Sequence, residues 1–180
     1  MLTLLLGGAR SGKSALAVRL AWAHAGPSPV TFLATAEPRD GEMVARVAAH
    51  REERPQAWPT LEEPLHLLRA LEALAPSATV VVDCLTLWVS NMMGAGWDDA
   101  AIVRSARETG RLISQRPGLA IAVSNEVGSG IVPAEPVSRR YQDLLGRVNT
   151  LFAEQAADAF LVVAGRLLAL ERPPATLAQP

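Results

Sequence analysis

A phosphate-binding pattern lies close to the N-terminus of the chain. Gly7 is followed by four residues and then by Gly12, Lys13 and Ser14, which fits the arrangement Gly-x-x-x-x-Gly-Lys-Ser. Glycine at both ends lets the backbone approach a polyphosphate, because no Cβ stands in the way. The N–H groups of residues 8–14 can then converge on phosphate oxygens, the lysine supplies a positive charge, and the serine hydroxyl suits Mg²⁺. The segment predicts a nucleotide-binding site.

The alternative is a glycine-rich turn that matches this pattern by chance. The flanking residues argue against it, because a mostly apolar run at residues 2–6 predicts a buried strand and a helix is predicted from about Lys13. A strand before the loop and a helix after it are the context that a phosphate loop requires.

A second candidate is the acidic residue Asp83, which directly follows the strand predicted at residues 79–82. A carboxylate at the end of a neighbouring strand often completes a Mg²⁺–nucleotide site. The sequence leaves open whether Asp83 binds the metal directly, binds it through water, or contacts the nucleotide base.

The third candidate is a histidine among arginines. Arg46 and His50 are four residues apart on a predicted helix and therefore lie on one face, with Arg51 and Arg54 close behind. A neutral imidazole can attack phosphorus, and arginines bound to phosphate can offset the developing charge. A surface histidine on a charged helix is the alternative, and these residues taken alone favour it.

A long loop, residues 124–133, is the last candidate, since it follows a predicted strand and is rich in glycine. Loops of this length are often functional, and its polar start could contact an acceptor substrate. An ordinary connector is the alternative.

Composition limits the class of protein. The chain has 180 residues, of which 49% are hydrophobic, and this suits an α/β protein whose sheet is buried on both faces. Seventeen basic and eighteen acidic residues argue against a dedicated nucleic-acid or anionic-membrane binder. A single cysteine, Cys84, excludes an intrachain disulfide and a cysteine-based zinc site. No run approaches the roughly 20 apolar residues of a membrane span and no leader is evident, so we expect a cytoplasmic protein.

Strands and helices alternate in the predicted order, which favours a mostly parallel sheet flanked by helices with ligands beyond the carboxyl ends of the strands. We predict strands at 2–6, 30–34, 79–82, 119–124, 159–164 and 166–170, the last two as a hairpin. Helices are predicted at 13–25, 42–53, 61–74, 85–93 and 98–115, and a long amphipathic helix from Val137. Residues 1–172 form one domain in this interpretation, and residues 173–180 a flexible tail.

Taken in order along nearly the whole chain, these motifs resemble the bifunctional adenosylcobinamide kinase / adenosylcobinamide-phosphate guanylyltransferase family of cobalamin biosynthesis. The segments that carry the resemblance are residues 7–14, 34–36, 42–46 with His50, 54–55, Trp58 and Thr60, 62–64, 83–86 with Asn91, 124–128 with Pro133, and 146–149. Some members have a second histidine before the nucleophile, where this chain has Ala49, and some have Glu in place of Asp83.

The resemblance implies an α/β P-loop NTPase fold of RecA-like type and two reactions. Adenosylcobinamide is first phosphorylated with ATP or GTP, and GMP is then transferred from GTP through a covalent GMP–histidine intermediate, with His50 as the nucleophile. Mg²⁺ would be bound by Ser14 and Asp83, no nucleic acid would take part, and relatives are homo-oligomers. The nucleotide contacts implied are Gly7, Gly8, Ala9, Arg10, Ser11, Gly12, Lys13, Ser14, Ala34, Thr35, Ala36, Arg51, Glu52, Glu53, Arg54, Glu62 and Asp83.

Two other functions remain as alternatives at this stage. A plain small-molecule kinase would use the phosphate loop but would leave His50 and its arginines unexplained. A nucleotide switch or DNA-associated RecA-like ATPase would fit the fold, although the near-zero net charge counts against binding to DNA.

Overall fold

The computed structural model of the chain describes residues 1–26, 28–37, 41–52 and 54–174, apart from the side chains of residues 42–44, 46, 49 and 50. The described residues form seven strands and six helices. The strands are β1 Leu2–Leu6, β2 Val30–Ala34, β3 Thr60–Glu62, β4 Thr79–Asp83, β5 Ala120–Val123, β6 Asp158–Val163 and β7 Arg166–Ala169. The helices are α1 Lys13–Ala25, α2 Gly41–Glu52, α3 Leu67–Glu72, α4 Leu85–Gly94, α5 Asp99–Gln115 and α6 Pro136–Gln155.

All seven strands belong to one sheet in the order β3-β2-β4-β5-β1-β6-β7. Every neighbouring pair is parallel except β6 and β7, which form an antiparallel hairpin. The predicted mostly parallel sheet and its terminal hairpin are therefore confirmed. Because β1, β2, β4 and β5 are parallel, their carboxyl ends lie at the same edge of the sheet.

The interior strands β1, β2, β4 and β5 are buried on both faces of the sheet, whereas β7 at one edge is exposed. The alternation of side chains along each interior strand explains this burial. Leu4, Val82 and Ala122 point into a core that α3–α6 cover, whereas Leu5, Val81 and Ile121 point into a second core beneath α1. Trp88 and Phe152, both fully buried, meet edge to face in the first core with ring centroids 6.5 Å apart. Burial on both faces explains why β1, β4 and β5 are apolar along nearly their whole length.

One predicted element is wrong. The helix predicted at residues 61–74 is instead the short strand β3, a turn, and the short helix α3. Pro64 disfavours helical geometry in the residue before it and has no N–H to donate, so a helix that ran through this point would be kinked or broken. Glu63 closes the turn, since its carboxylate accepts hydrogen bonds from the N–H groups of Leu65 (3.0 Å) and His66 (2.7 Å). The strand in front pairs with β2 in register.

In the described part of the chain, no helix has the length and apolar character to cross a bilayer.

Candidate nucleotide-binding site

The predicted phosphate loop connects β1, in the interior of the sheet, to α1. Gly12 precedes the helix with φ of 95°, a left-handed conformation that favours glycine. Gly7 has a different constraint, because a Cβ on it would lie 2.4 Å from the carbonyl oxygen of Val162 in β6. Each glycine is thus required by the local backbone, which explains why the pattern has glycine at these two positions.

Lys13 is the first residue of α1 and is only 6% exposed. Its Nζ donates hydrogen bonds to the carbonyl oxygens of Gly7 (2.9 Å) and Gly8 (2.6 Å) and to the hydroxyl of Ser11 (3.3 Å). Burial lowers the pKa of Lys13, and the Cys84 and Asp83 side chains oppose that shift. The ammonium group is therefore fixed on the loop itself and faces the end of β4.

The turn between β6 and β7 supports this loop from one side. Gly165 donates its N–H to the carbonyl oxygen of Ser11 (2.8 Å), and a Cβ on Gly12 would lie 3.3 Å from the Gly165 Cα. Ala164 and Gly165 both have positive φ, 50° and 74°, as a tight hairpin turn requires. The sequence predicts the hairpin, but the pairing that places its turn against the loop is not visible in a local pattern.

Asp83 ends β4, two strands away from β1. The neighbouring Thr35 anchors this end of the strand: its hydroxyl donates to the carbonyl oxygen of Cys84 (2.7 Å) and accepts from the Cys84 N–H (2.8 Å). Asn91 of α4 donates to the Thr35 carbonyl oxygen (2.8 Å). Thr35 is fully buried, so the geometry gives its side chain a positioning role, and a direct contact with nucleotide remains a prediction.

Burial raises the pKa of Cys84 to about 12, and the Asp83 carboxylate adds to the shift. The only cysteine of the chain is therefore a protonated and weakly nucleophilic thiol.

Two arginines lie at and just beyond the C-terminal end of α2. Arg54 is buried, its guanidinium carbon 3.8 Å from the centroid of the Phe32 ring, as in a cation–π contact. Burial lowers its pKa, the Asp83 and Glu62 carboxylates raise it, and Arg51 lowers it further. Arg51 in turn forms an exposed 2.7 Å ion pair with Glu62. A cleft of about 250 Å³ runs between these arginines and Trp58.

The structure thus brings together several of the predicted site residues and leaves others as predictions. The phosphate loop follows β1, Asp83 ends β4, and Glu62, the ion-pair partner of Arg51, ends β3, so the parallel strands bring these groups to one edge of the sheet. Ala34 is buried, Ala36 and Ser14 are partly exposed, and Gly8, Ala9, Arg10 and Glu52 are exposed, while Ser11 is partly buried. His50 lies within α2, but its side chain, the side chain of Arg46, and Glu53 lie outside the described residues.

The loop that follows β5 begins at the same edge. Glu126 donates its N–H to the carbonyl oxygen of Gly7 (3.1 Å). Asn149 of α6 holds the preceding residues, since it accepts from the Ser124 hydroxyl (2.6 Å) and donates to the Asn125 carbonyl oxygen (3.0 Å). The start of this loop is therefore hydrogen-bonded to the phosphate loop. The anchoring role of Asn149, far away in sequence, could not be read from spacing.

The residues at this edge fit Mg²⁺ bound together with a nucleotide. A hydroxyl (Ser14) and a carboxylate (Asp83) are hard oxygen donors, and Mg²⁺ commonly takes only one or two protein ligands beside phosphate oxygens and water. Among the described residues no group of three or more His, Cys, Asp or Glu side chains could hold a metal ion by itself.

The parallel sheet, the phosphate loop and the acidic strand end define a nucleotide-binding protein of the RecA-like P-loop class. The RadB recombinase structure shares this fold, with a TM-score of 0.51 at 17% identity over 89% of this chain and 73% of that one. Residues 3–170 match the model of the cobinamide kinase / cobinamide phosphate guanyltransferase family, and the chain belongs to that family.

Two curated relatives agree with this assignment. The bifunctional adenosylcobalamin biosynthesis protein CobP of Pseudomonas aeruginosa is 44% identical over 97% of this chain and 99% of its own length. The bifunctional adenosylcobalamin biosynthesis protein CobU of Salmonella typhimurium is 38% identical over 92% of this chain and 97% of its own length. The similarity spans the phosphate loop, the β5 loop and α6 together.

Proposed function

We propose that this chain catalyses two successive transfers to one acceptor. In the first, the hydroxyl oxygen of the aminopropanol arm of adenosylcobinamide forms a bond with the γ-phosphorus of ATP or GTP, its proton is released to solvent, and the nucleoside diphosphate leaves. In the second, GMP from GTP is joined to the new phosphate, which gives adenosylcobinamide-GDP and pyrophosphate.

For the first transfer, the loop from Gly7 to Ser14 would bind the triphosphate through its N–H groups, at the positive end of α1. Lys13 would exchange its bonds to loop carbonyls for bonds to the β- and γ-phosphates and so offset the charge that develops there. Mg²⁺, held by Ser14 and Asp83, would neutralise further phosphate charge. The chain's own contribution is thus positioning and electrostatics.

For the second transfer, a neutral His50 imidazole nitrogen would attack the α-phosphorus of GTP, and the bond from that phosphorus to the bridging oxygen would break and release pyrophosphate. A phosphate oxygen of the cobinamide phosphate would then attack the same phosphorus and free the imidazole. Arg51 and Arg54, with Arg46, are the cations closest to His50 in sequence and would stabilise the charge on the transferring group.

The observation that supports this proposal most strongly is the placement of Arg54. It follows His50 by four residues, it is buried, and its pKa responds to the same Asp83 carboxylate as that of Lys13. A plain kinase would need the loop and Asp83 but would give no reason for a buried arginine, an adjacent ion pair and a cleft beside the end of α2.

The test is incubation with α-³²P-GTP and Mg²⁺ followed by denaturing electrophoresis. We expect acid-labile, base-stable label on the wild-type protein, as for a histidine phosphoramidate, and none on His50→Ala, which should keep some phosphorylation of adenosylcobinamide. His24→Ala is the matched control, because His24 is exposed on α1 and should label like wild type. Equal labelling of the wild type and His50→Ala would refute the assignment, and an unlabelled but active kinase would favour the single-activity alternative.

We further propose that residues 1–172 act as one domain in a cytoplasmic homo-oligomer that does not bind nucleic acid. Sedimentation at several protein concentrations, with and without DNA, tests the oligomer and the absence of a nucleic-acid partner.

A further inference from the structure

A second cleft, of about 640 Å³, lies between α5, α6 and the loop that follows β5. It falls within the 300–1,000 Å³ typical of small-molecule sites, and it does not include the phosphate loop or the arginines near α2. Val103, Val132 and Leu151 give it apolar surface, and Val132 is 72% exposed. Arg107 and Arg147 add donors on the two helices.

Gly146 lines this cleft from within α6, and no contact with the described residues requires glycine at this position. A Cβ built on it would meet nothing within 4 Å, and glycine inside a helix is less favourable than alanine. The helix would therefore gain from a side chain at this position. Because glycine has no side chain to cover the backbone here, a bound molecule can approach the main chain of α6 closely.

The cleft is connected to the phosphate loop through the chain. Glu126 bonds to Gly7 of that loop, and Gly128 already lines the cleft. Two residues span at most about 7 Å, so the cleft opens next to the nucleotide cradle. A large ligand whose main part binds in this cleft could place one side arm close to a transferred phosphate.

The charged and polar side chains that line the cleft indicate which chemical class of ligand it would bind. Arg107 and Arg147 are opposed by the Asp143 carboxylate, and Gln142 contributes an amide whose NH₂ donates to the Val127 carbonyl oxygen (2.7 Å). A balanced set of this kind suits neutral amides, whose carbonyl and NH₂ groups can pair with both signs, rather than a free polyphosphate. The apolar walls suit the edge of a large ring.

We propose that this cleft binds the corrin portion of the acceptor, a macrocycle fringed with carboxamides, and that Gly146, Arg147 and Arg107 form its docking surface. The assignment rests on the proposed function for the identity of the acceptor. The residues at 146–149 would then have different roles. Gly146 and Arg147 face the acceptor. Val148 is buried in the core, and Asn149 anchors the start of the loop that follows β5.

Equilibrium dialysis of the full chain with cobinamide, whose corrin ring absorbs visible light, tests the proposal. We expect the Kd for cobinamide to rise roughly tenfold in Arg107→Ala and Arg147→Ala, the loss of about one charged hydrogen bond each, and at least as much in Gly146→Leu. The affinity for ATP should stay within about twofold of wild type in all three. Arg111→Ala and Ala100→Leu are matched controls, because both residues are exposed on α5 outside the cleft, and they should bind cobinamide like wild type.

Cleft variants that bind cobinamide as tightly as wild type, with unchanged circular dichroism, would overturn the docking site, and so would a wild type that does not bind it. Phosphate transfer, measured in parallel with γ-³²P-ATP, separates this outcome from a failure of the proposed function. Binding that depends on the cleft without any transfer would refute the kinase activity and support the site. A raised KM for cobinamide at unchanged kcat would support both.

Discussion

Replacement of Thr35 by valine tests whether the edge of the sheet depends on one hydroxyl. Thr35 is fully buried, and its hydroxyl is bonded to both the N–H and the carbonyl oxygen of Cys84, at 2.8 and 2.7 Å. Valine has nearly the same shape, so Thr35→Val leaves both groups without that partner, at about 1–3 kcal/mol for each buried group that stays unpaired. With partial compensation from the added methyl group, we expect the free energy of unfolding to fall by roughly 2–4 kcal/mol.

Urea unfolding at one fixed protein concentration measures this loss. With an m value of about 2 kcal/mol/M, the expected shift in the midpoint is roughly 1–2 M. Thr35→Ser is the matched control, because it keeps the hydroxyl and loses one methyl group, for about 1 kcal/mol. If Thr35→Val proves as stable as Thr35→Ser, the hydroxyl does not anchor Cys84 and the reasoning fails. Mg²⁺-dependent ATP affinity should also fall more in the valine variant, since Asp83 is the residue before Cys84.

Four further outcomes are expected. Lys13→Ala should slow both proposed reactions by about a hundredfold or more, because both use the same cradle, and an unchanged initial rate of kinase turnover would count against the site. Gly7→Ala should lower the free energy of unfolding in thermal melts by about 1–3 kcal/mol, since its Cβ would lie 2.4 Å from the Val162 carbonyl oxygen. Gly8→Ala is the control and should change the stability little, because its Cβ would have no described atom within 4 Å. At pH 8 iodoacetamide should modify Cys84 much more slowly in the folded protein than in urea, because burial shields the thiol and raises its pKa to about 12. Between pH 9 and about 12 the Cys84 thiol stays protonated in the folded state but loses its proton in the unfolded state. The urea midpoint should therefore fall as the pH rises from 9 towards 12, and it should fall less in Cys84→Ser.

The sequence predicts well those parts of the fold and site that depend on neighbours along the chain. The phosphate loop is recognised because its glycines, lysine and serine serve one continuous turn, and the loop from Gly7 to Ser14 connects β1 and α1 as expected. The long helix α6 and the interior strands are marked by apolar residues at helical spacing or in unbroken runs, which reflect the surfaces they bury.

Features that depend on distant segments were missed or mistaken. Residues 60–62 are an edge strand only because β2, far back in the sequence, offers a partner, and their side chains resemble the helical pattern that follows. The support of Ser11 by Gly165 and of Ser124 by Asn149 also joins segments that are remote in sequence. Such contacts follow from strand order, which local spacing does not contain.

The two proposed reactions share the phosphate loop and differ in the groups that approach it. The phosphate loop is held by main-chain bonds on both sides, from Gly165 at Ser11 and from Glu126 at Gly7. In the proposed mechanism a phosphate loop fixed in this way would present the same triphosphate in either reaction, so the choice between the γ- and the α-phosphorus would depend on the groups that approach it. On one side the loop after β5 leads to the proposed acceptor cleft. On the other side a buried arginine follows the end of α2, and an exposed ion pair lies beside it. In the proposed mechanism the phosphate loop would serve both reactions unchanged, and the nucleophile that reaches the triphosphate, acceptor hydroxyl or imidazole, would decide which bond breaks.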